Sequence, residues 1–260
     1  MSTTHSLTVL KLGGSLITHK DQRETVDWNS LDRACATIGT FLGDLPDEHR
    51  LIIVHGGGSF GHHNAAEHGV SSTEGSTDAR ALTAIHHAMG ELNGAVLGGL
   101  HDHGIDALPV RPLSVAAQDG PLQFPTASVE AMLDEGFVPV THGDVVVDDR
   151  KGGTILSGDD IVVSLARTLG ADRVGLCSTV PGVLDDDDAV ISQVDTYDDV
   201  ASVLGGSDAT DVTGGMAHKV RQLLALDAAA AIFALDDLSQ FLEHGTAGTV
   251  ISGHDEERSH

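Results

Sequence analysis

Three short stretches of this 260-residue chain set a cationic or imidazole side chain against glycines: KLGGS (Lys11–Ser15), HGGGSFGH (His55–His62) and TGGMAHK (Thr213–Lys219). A strand that runs into glycines and then into a helix offers unpaired backbone N–H groups and a helix dipole to an anion. Glycine suits such a place because a Cβ would block close approach and because tight turns use positive φ. Lys11 and Lys219 add charge to the first and third stretches, while His62 and His63 add imidazole donors to the second. The chemistry this fits is the binding and transfer of phosphate-like groups.

The charge balance sharpens that reading. Fourteen Lys and Arg stand against 39 Asp and Glu, a formal net charge of −25. Such a surface repels nucleic acid and anionic membranes, so neither is an expected partner. The acids are dispersed along the chain, and the balance is easiest to sustain in concentrated salt, where the Debye length falls to about 3 Å near 1 M. A halophile's cytoplasmic protein is the expectation. Only four lysines survive, Lys11, Lys20, Lys151 and Lys219, and three of them sit in or beside glycine-rich turns. Cationic groups retained there call for an anionic ligand.

Other features exclude alternatives. No apolar run approaches a membrane span, and the first residues lack a basic, then apolar, secretory leader. Cys35 and Cys177 form no disulfide framework. No lysine precedes Ser or Thr, so the P-loop pattern is absent. Gly56–Gly61 matches G-x-G-x-x-G, which keeps a nicotinamide-dependent oxidoreductase as a distant alternative, but the polar stretch after it lacks the second strand and acid of that fold. The acids Asp185–Asp188 read as a solvated loop. His86 and His87 diverge by ~100° on a helix, so no protein-built metal site is expected.

The elements that must hold these turns follow from periodicity. Apolar runs predict strands at Leu7–Leu12, Leu51–Val54, Ile105–Val110, Phe137–Val140, Arg173–Cys177, Ala230–Phe233 and Thr249–Ile251. Helices are predicted over 27–43, 78–100, 126–133, 158–169, 216–226 and 236–242. A hairpin joins Val145–Val147 to Thr154–Leu156, and Ser157-Gly-Asp-Asp160 fits a capping box closed later by Gly170. Strands apolar on both faces and alternating with helices predict a single α/β domain: a three-layer αβα sandwich around an open, mainly parallel sheet.

The motifs resemble the amino acid kinase superfamily, in particular its isopentenyl phosphate kinase branch. The likeness runs through KLGGSLITHK, IIVHGGGSFGHHNA, PVTHGDVVVDD, LSGDDIVVSLA, STVPGVLDDDD, DVTGGMAHKV and a closing GTVI. The histidine of GSFGH is the discriminating piece, shared with that branch and with fosfomycin kinases. The resemblance implies a homodimer in which the N-terminal half holds a small phosphorylated acceptor and about 158–260 holds ATP with Mg²⁺. It assigns catalytic roles to Lys11, Lys20, His62 and Lys219, and acceptor contacts to Gly57, His62 and Gly158. Nucleotide contacts fall to Lys11, Leu12, Gly13, Gly14, Ser15, Gly58, Thr179, Gly215 and Lys219, with Asp160 organising the lysines by its charge. The chain departs from many relatives at Ser178-Thr179-Val180-Pro181-Gly182, where they carry Thr-Asp-Val-Asp-Gly. The implied reaction is phosphorylation of isopentenyl phosphate in isoprenoid synthesis, with a fosfomycin-like acceptor or a nucleotide-sensing regulator as other uses of the same fold.

Overall fold

Burial along the first strand explains the architecture. In the computed structural model, which describes residues 6–44, 49–204 and 215–253, the core residues of β1 (Ser6–Leu12) divide between two clusters. Leu10 and Leu12 enter one and Leu7 and Val9 the other. A strand with both faces buried needs a helical layer on each side.

After β1 come α1 (Gly14–Ile17), α2 (Trp28–Asp44), β2 (His49–His55), α3 (Gly58–His68) and α4 (Ala79–Asp102). Next are β3 (Ala107–Pro109), α5 (Pro112–Val115), β4 (Ala117–Gln118), β5 (Leu122–Gln123) and α6 (Ala127–Asp134). The middle of the chain holds β6 (Val138–His142), β7 (Asp144–Asp148), β8 (Gly152–Leu156), α7 (Gly158–Leu169) and β9 (Arg173–Ser178). The last elements are β10 (Gln193–Val194), α8 (Ala201–Leu204), α9 (Gly215–Leu224), β11 (Ala229–Ala234), α10 (Leu238–His244) and β12 (Thr249–Ile251).

Eight strands form the main sheet in the order β10-β12-β11-β9-β1-β2-β6-β3, parallel at every step except β11–β12. One face packs on Leu31 and Ile38 of α2, Leu92 and Val96 of α4, and Phe241 of α10. The other packs on Val162 and Leu165 of α7, Val129 of α6 and Val220 of α9. This is the expected αβα sandwich. A second sheet, β5-β4-β7-β8, carries the predicted hairpin as β7 and β8.

The differences lie in short elements. The two-residue strands β4 and β5 and the single turn of α5 are too brief to leave a periodic signal. The predicted helix over 236–242 begins as a 3₁₀ turn at Leu235–Asp237 before α10. The capping box is only half made: Ser157 Oγ accepts from Asp159 N at 3.1 Å, while Asp160 turns elsewhere. Gly170 closes α7 in the left-handed region, with φ +64, as its position predicts.

Four neighbouring parallel strands, β9, β1, β2 and β6, end side by side at Ser178, Leu12, His55 and His142. Of these, β1, β2 and β6 run into Gly13, Gly56 and Gly143, so the sheet delivers three glycine turns to its carboxyl edge. Open parallel sheets bind ligands at that edge.

Candidate active site

The first two glycine turns touch through their backbones. An added Cβ on Gly56 would lie 2.6 Å from Gly14 N, and one on Gly14 would overlap the backbone of Gly58. Gly58 itself has φ +49 and faces the Thr18 hydroxyl. Thr18 clamps the pair, donating to Gly14 O at 2.8 Å and accepting from Ser59 N at 2.9 Å. No side chain larger than hydrogen fits between these segments. The glycines at 14, 56 and 58 are therefore set by packing as well as by the need to admit a ligand.

A cavity of about 1070 Å³ opens over this junction. Lys11, Lys20, His62 and Lys219 all reach it, as do Gly13, Gly14, Ser15, Gly57, Gly58, Gly158, Asp160 and Thr179. Residues from the two ends of the sequence are thereby brought together on one anion-binding surface. Two of the residues assigned to nucleotide do not reach it. Leu12 is fully buried in the core, and its carbonyl accepts from Gly56 N at 3.0 Å. Gly215 opens α9 without lining the cavity, whereas Met216, His218 and Lys219 do. Thr213 and Gly214, the remainder of that third turn, lie outside the described residues. Lys151, one of the lysines beside glycines, belongs to the turn of the β7–β8 hairpin and is absent from the cavity wall.

The carboxylate that directly contacts the lysines is Asp159, the neighbour of the expected Asp160. Lys11 lies on the face of β1 that packs against α7, and its Nζ reaches Asp159 Oδ1 at 2.5 Å. Lys219 Nζ stands 3.9 Å from Oδ2 of the same carboxylate. Successive helical residues diverge by ~100°. Asp160 therefore points away from Lys11 and accepts from Gln222 Nε2 at 2.6 Å. Burial lowers the Lys11 pKa, and Asp159 works against that fall. Burial also acts to raise the Asp159 pKa, but Lys11, Lys219 and His218 outweigh it and hold the carboxyl below the usual carboxylate range. The site thus keeps a buried, ionised carboxylate between two ammonium groups. An incoming phosphoryl group would restore the proton affinity that burial takes from Lys11.

The two adjacent histidines of α3 separate in the same way. His62 lines the cavity, while the exposed His63 meets the Lys20 carbonyl at 3.4 Å through Nε2. From α4, Ile85 and Met89 supply apolar wall, with Met89 Sδ against Gly57 and Gly61. Leu82 packs instead on Gly153, and His86 pairs with the buried Asp144 at 2.7 Å. Val70 and Ile155 extend the apolar side. The Asp185–Asp188 run forms a turn capped on itself, Asp185 Oδ1 accepting from Asp187 N and Ala189 N. Among the described residues, no group of three or more His, Cys, Asp or Glu could hold a metal ion. No described helix is long and apolar enough to cross a membrane. The dinucleotide alternative loses its support, since α3 leads into a loop and α4 and the next strand is β3.

Sequence reasoning missed Thr18, Asp159, Gly143 and the pair His55 and His142. Asp159 was marked in the pattern, because it precedes the buried Val162 and Ala166 by three and seven residues, whereas Asp160 shares its stripe with Val163 and Ser164. The others required the tertiary pairing.

Comparison with known proteins adds three findings. The amino acid kinase family model matches residues 6–231. The chain is 59% identical over 250 residues to isopentenyl phosphate kinase of Haloferax volcanii, covering 95% of this chain and 99% of that one. It is 35% identical to the Methanocaldococcus jannaschii enzyme of the same name, covering 82% and 85%. Among solved structures, one of an isopentenyl phosphate kinase superimposes with a TM-score of 0.80 at 28% identity, over 94% of this chain and 99% of that one.

Proposed function

The chain belongs to the amino acid kinase family, and on that premise we propose that it transfers the γ-phosphoryl group of ATP to isopentenyl phosphate, giving ADP and isopentenyl diphosphate. The observation that carries this reading is the meeting of Lys11, Lys20, Lys219 and His62 over the fused Gly14–Gly56–Gly58 backbone. The relatives that share most of the chain carry that activity in their names.

Phosphoryl transfer asks mainly for alignment and for neutralisation of charge on the equatorial oxygens. An oxygen of the acceptor phosphate attacks the γ-phosphorus as the bond to the β–γ bridging oxygen breaks and ADP departs. The acceptor phosphate is already deprotonated, so no strong base is needed. Gly57 and His62 hold it, with His62 acting as a donor to its oxygens. Lys11, Lys20 and the turn Gly13–Ser15 meet the group in flight, and Gly158 contacts the acceptor from the first turn of α7. Gly58 borders both phosphates, and Thr179, Met216 and Lys219 lie on the nucleotide side. Asp159 sets the spacing of Lys11 and Lys219. The apolar wall of Val70, Ile85, Met89 and Ile155 suits a short hydrocarbon tail.

In this reading the chain is one domain whose N-terminal half binds acceptor and whose residues from about 158 to 260 bind nucleotide. The described residues offer no cluster for Mg²⁺, so the ion would travel with the nucleotide's own phosphates. The net charge of −25 supports work in concentrated salt. The reading extends to a cytoplasmic homodimer.

The test is ADP release in molar KCl with Mg·ATP, comparing isopentenyl phosphate, fosfomycin, uridine monophosphate and acetylglutamate. Isopentenyl phosphate should give the highest kcat/KM. A higher value with fosfomycin overturns the assignment of acceptor.

A further inference from the structure

Directly beneath the cavity lies a histidine pair that the reaction as described does not use. His55 ends β2 and His142 ends β6, and the two face each other in the parallel ladder. Both are fully buried, with ring centroids 5.2 Å apart and planes inclined by 30°. Their hydrogen bonds repeat one pattern. His55 Nδ1 lies 3.1 Å from the carbonyl of Gly56, and His142 Nδ1 lies 3.0 Å from the carbonyl of Gly143. Each ring grips the peptide that follows it, and both of those glycines line the cavity.

We propose that His55 and His142 are positioning residues for the acceptor phosphate: as neutral Nδ1–H tautomers they hold the carbonyls of Gly56 and Gly143 inward, so that the cavity meets amides and Cα hydrogens. This rests on the acceptor lying on the Gly56–Gly58 side.

The contacts of His142 single out one tautomer, and the same one is required of His55. A carbonyl can only accept, so the ring nitrogen beside it must carry the proton. Burial lowers both pKa values, to about 4 for His55 and about 3 for His142, and each ring therefore carries a single N–H at neutral pH. His142 is pushed further by His55, by His86 of α4 and by Arg111 beside α5. The proton on Nδ1 leaves Nε2 as a lone pair. For His55, Nε2 lies 3.2 Å from Asn93 Oδ1, so the Nδ1–H tautomer requires that amide to be turned about, with its NH₂ rather than its oxygen toward the ring. For His142 Nε2 is buried without a partner. An orphaned buried acceptor destabilises the fold, and the grip on Gly143 accounts for its being kept.

The consequence follows from peptide geometry. In a trans peptide the C=O and the next N–H point in opposite directions. Turning the Gly56 carbonyl to His55 sends the Gly57 N–H to the other side. Gly143 is held through both of its flanking peptides, since its N–H donates to His55 O at 3.0 Å while its carbonyl meets His142 Nδ1. A Cβ there would stand 3.2 Å from Gly158 N, so Gly143 also sets the first turn of α7. Were either carbonyl to swing outward, its negative end would face the phosphate.

The experiment compares His142→Leu and His55→Leu with His142→Asn and His55→Asn, whose amide nitrogen replaces Nδ1. The leucine variants should raise KM for isopentenyl phosphate about tenfold or more, with KM for ATP and kcat within about threefold, the effect of losing one positioned donor. The asparagine variants should recover most of that loss. An unchanged acceptor KM in His142→Leu, or an equal rise in KM for ATP, overturns the proposal. A second measurement needs no variant and no substrate: ¹⁵N spectra of the imidazoles in the wild-type protein at pH 7. Both rings should be neutral with the proton on Nδ1, and an Nε2–H form in either overturns the proposal. Absence of isopentenyl phosphate turnover by the wild type would instead count against the functional reading, while the tautomers still decide this one.

Discussion

On one wall of the cavity, Gly14, Gly56 and Gly58 press backbone against backbone, over two buried histidines. On the facing wall, Lys11 and Lys219 are held by the carboxylate of Asp159, at 2.5 and 3.9 Å. The first wall offers fixed dipoles without net charge, and the second offers charge on long side chains. A reaction that moves a phosphoryl group between two anions needs both. Rigid amides define where the stationary phosphate lies, and ammonium groups can follow the one that moves. The contrast also explains how a chain of net charge −25 binds two anions: its few lysines are concentrated where charge migrates.

The contrast can be broken most severely at Lys11. Lys11→Met leaves Asp159 buried and short of its nearest partner, which should cost about 3–5 kcal/mol of stability. Turnover should fall by about 10³-fold. Adding Asp159→Leu should return the melting temperature and leave activity low, because packing can replace the ion pair and cannot replace the charge. Recovery of activity in the double variant would contradict the division between the two walls. An intermediate effect is expected at His62. His62→Ala should lose at least ~2 kcal/mol of transition-state stabilisation in kcat/KM for the acceptor, with ATP affinity kept. An equal loss of ATP affinity would place His62 on the wrong wall. The smallest effect belongs to Asp160→Asn, which keeps a partner for Gln222 and should leave kcat within about threefold. A collapse of turnover there would return to Asp160 the role that Asp159 holds by geometry.

Much of this was legible in the residues. The αβα sandwich followed from strands apolar on both faces, and the cavity's cationic wall followed from the retention of otherwise scarce lysines at glycine turns. What escaped had a common physical cause. Thr18 clamps Gly14 to Ser59, 41 residues from itself, and His142 meets His55 only through the β2–β6 register. Neither is visible without knowing which strands are neighbours. At Leu12 the structure shows what sequence adjacency hides, since the neighbour of Lys11 lies on the opposite face of the strand and its side chain goes to the core. The choice of Asp160 over Asp159 ignored helix phase, which places only the latter on the stripe of Val162 and Ala166.

The most direct measurement is a crystal structure with isopentenyl diphosphate and ADP bound. The account requires the diphosphate to lie against the amides of Gly57 and Gly58 with His62 on its inner phosphate and Lys11 on the transferred one. A diphosphate seated elsewhere, or facing the carbonyls of Gly56 and Gly143, would contradict it.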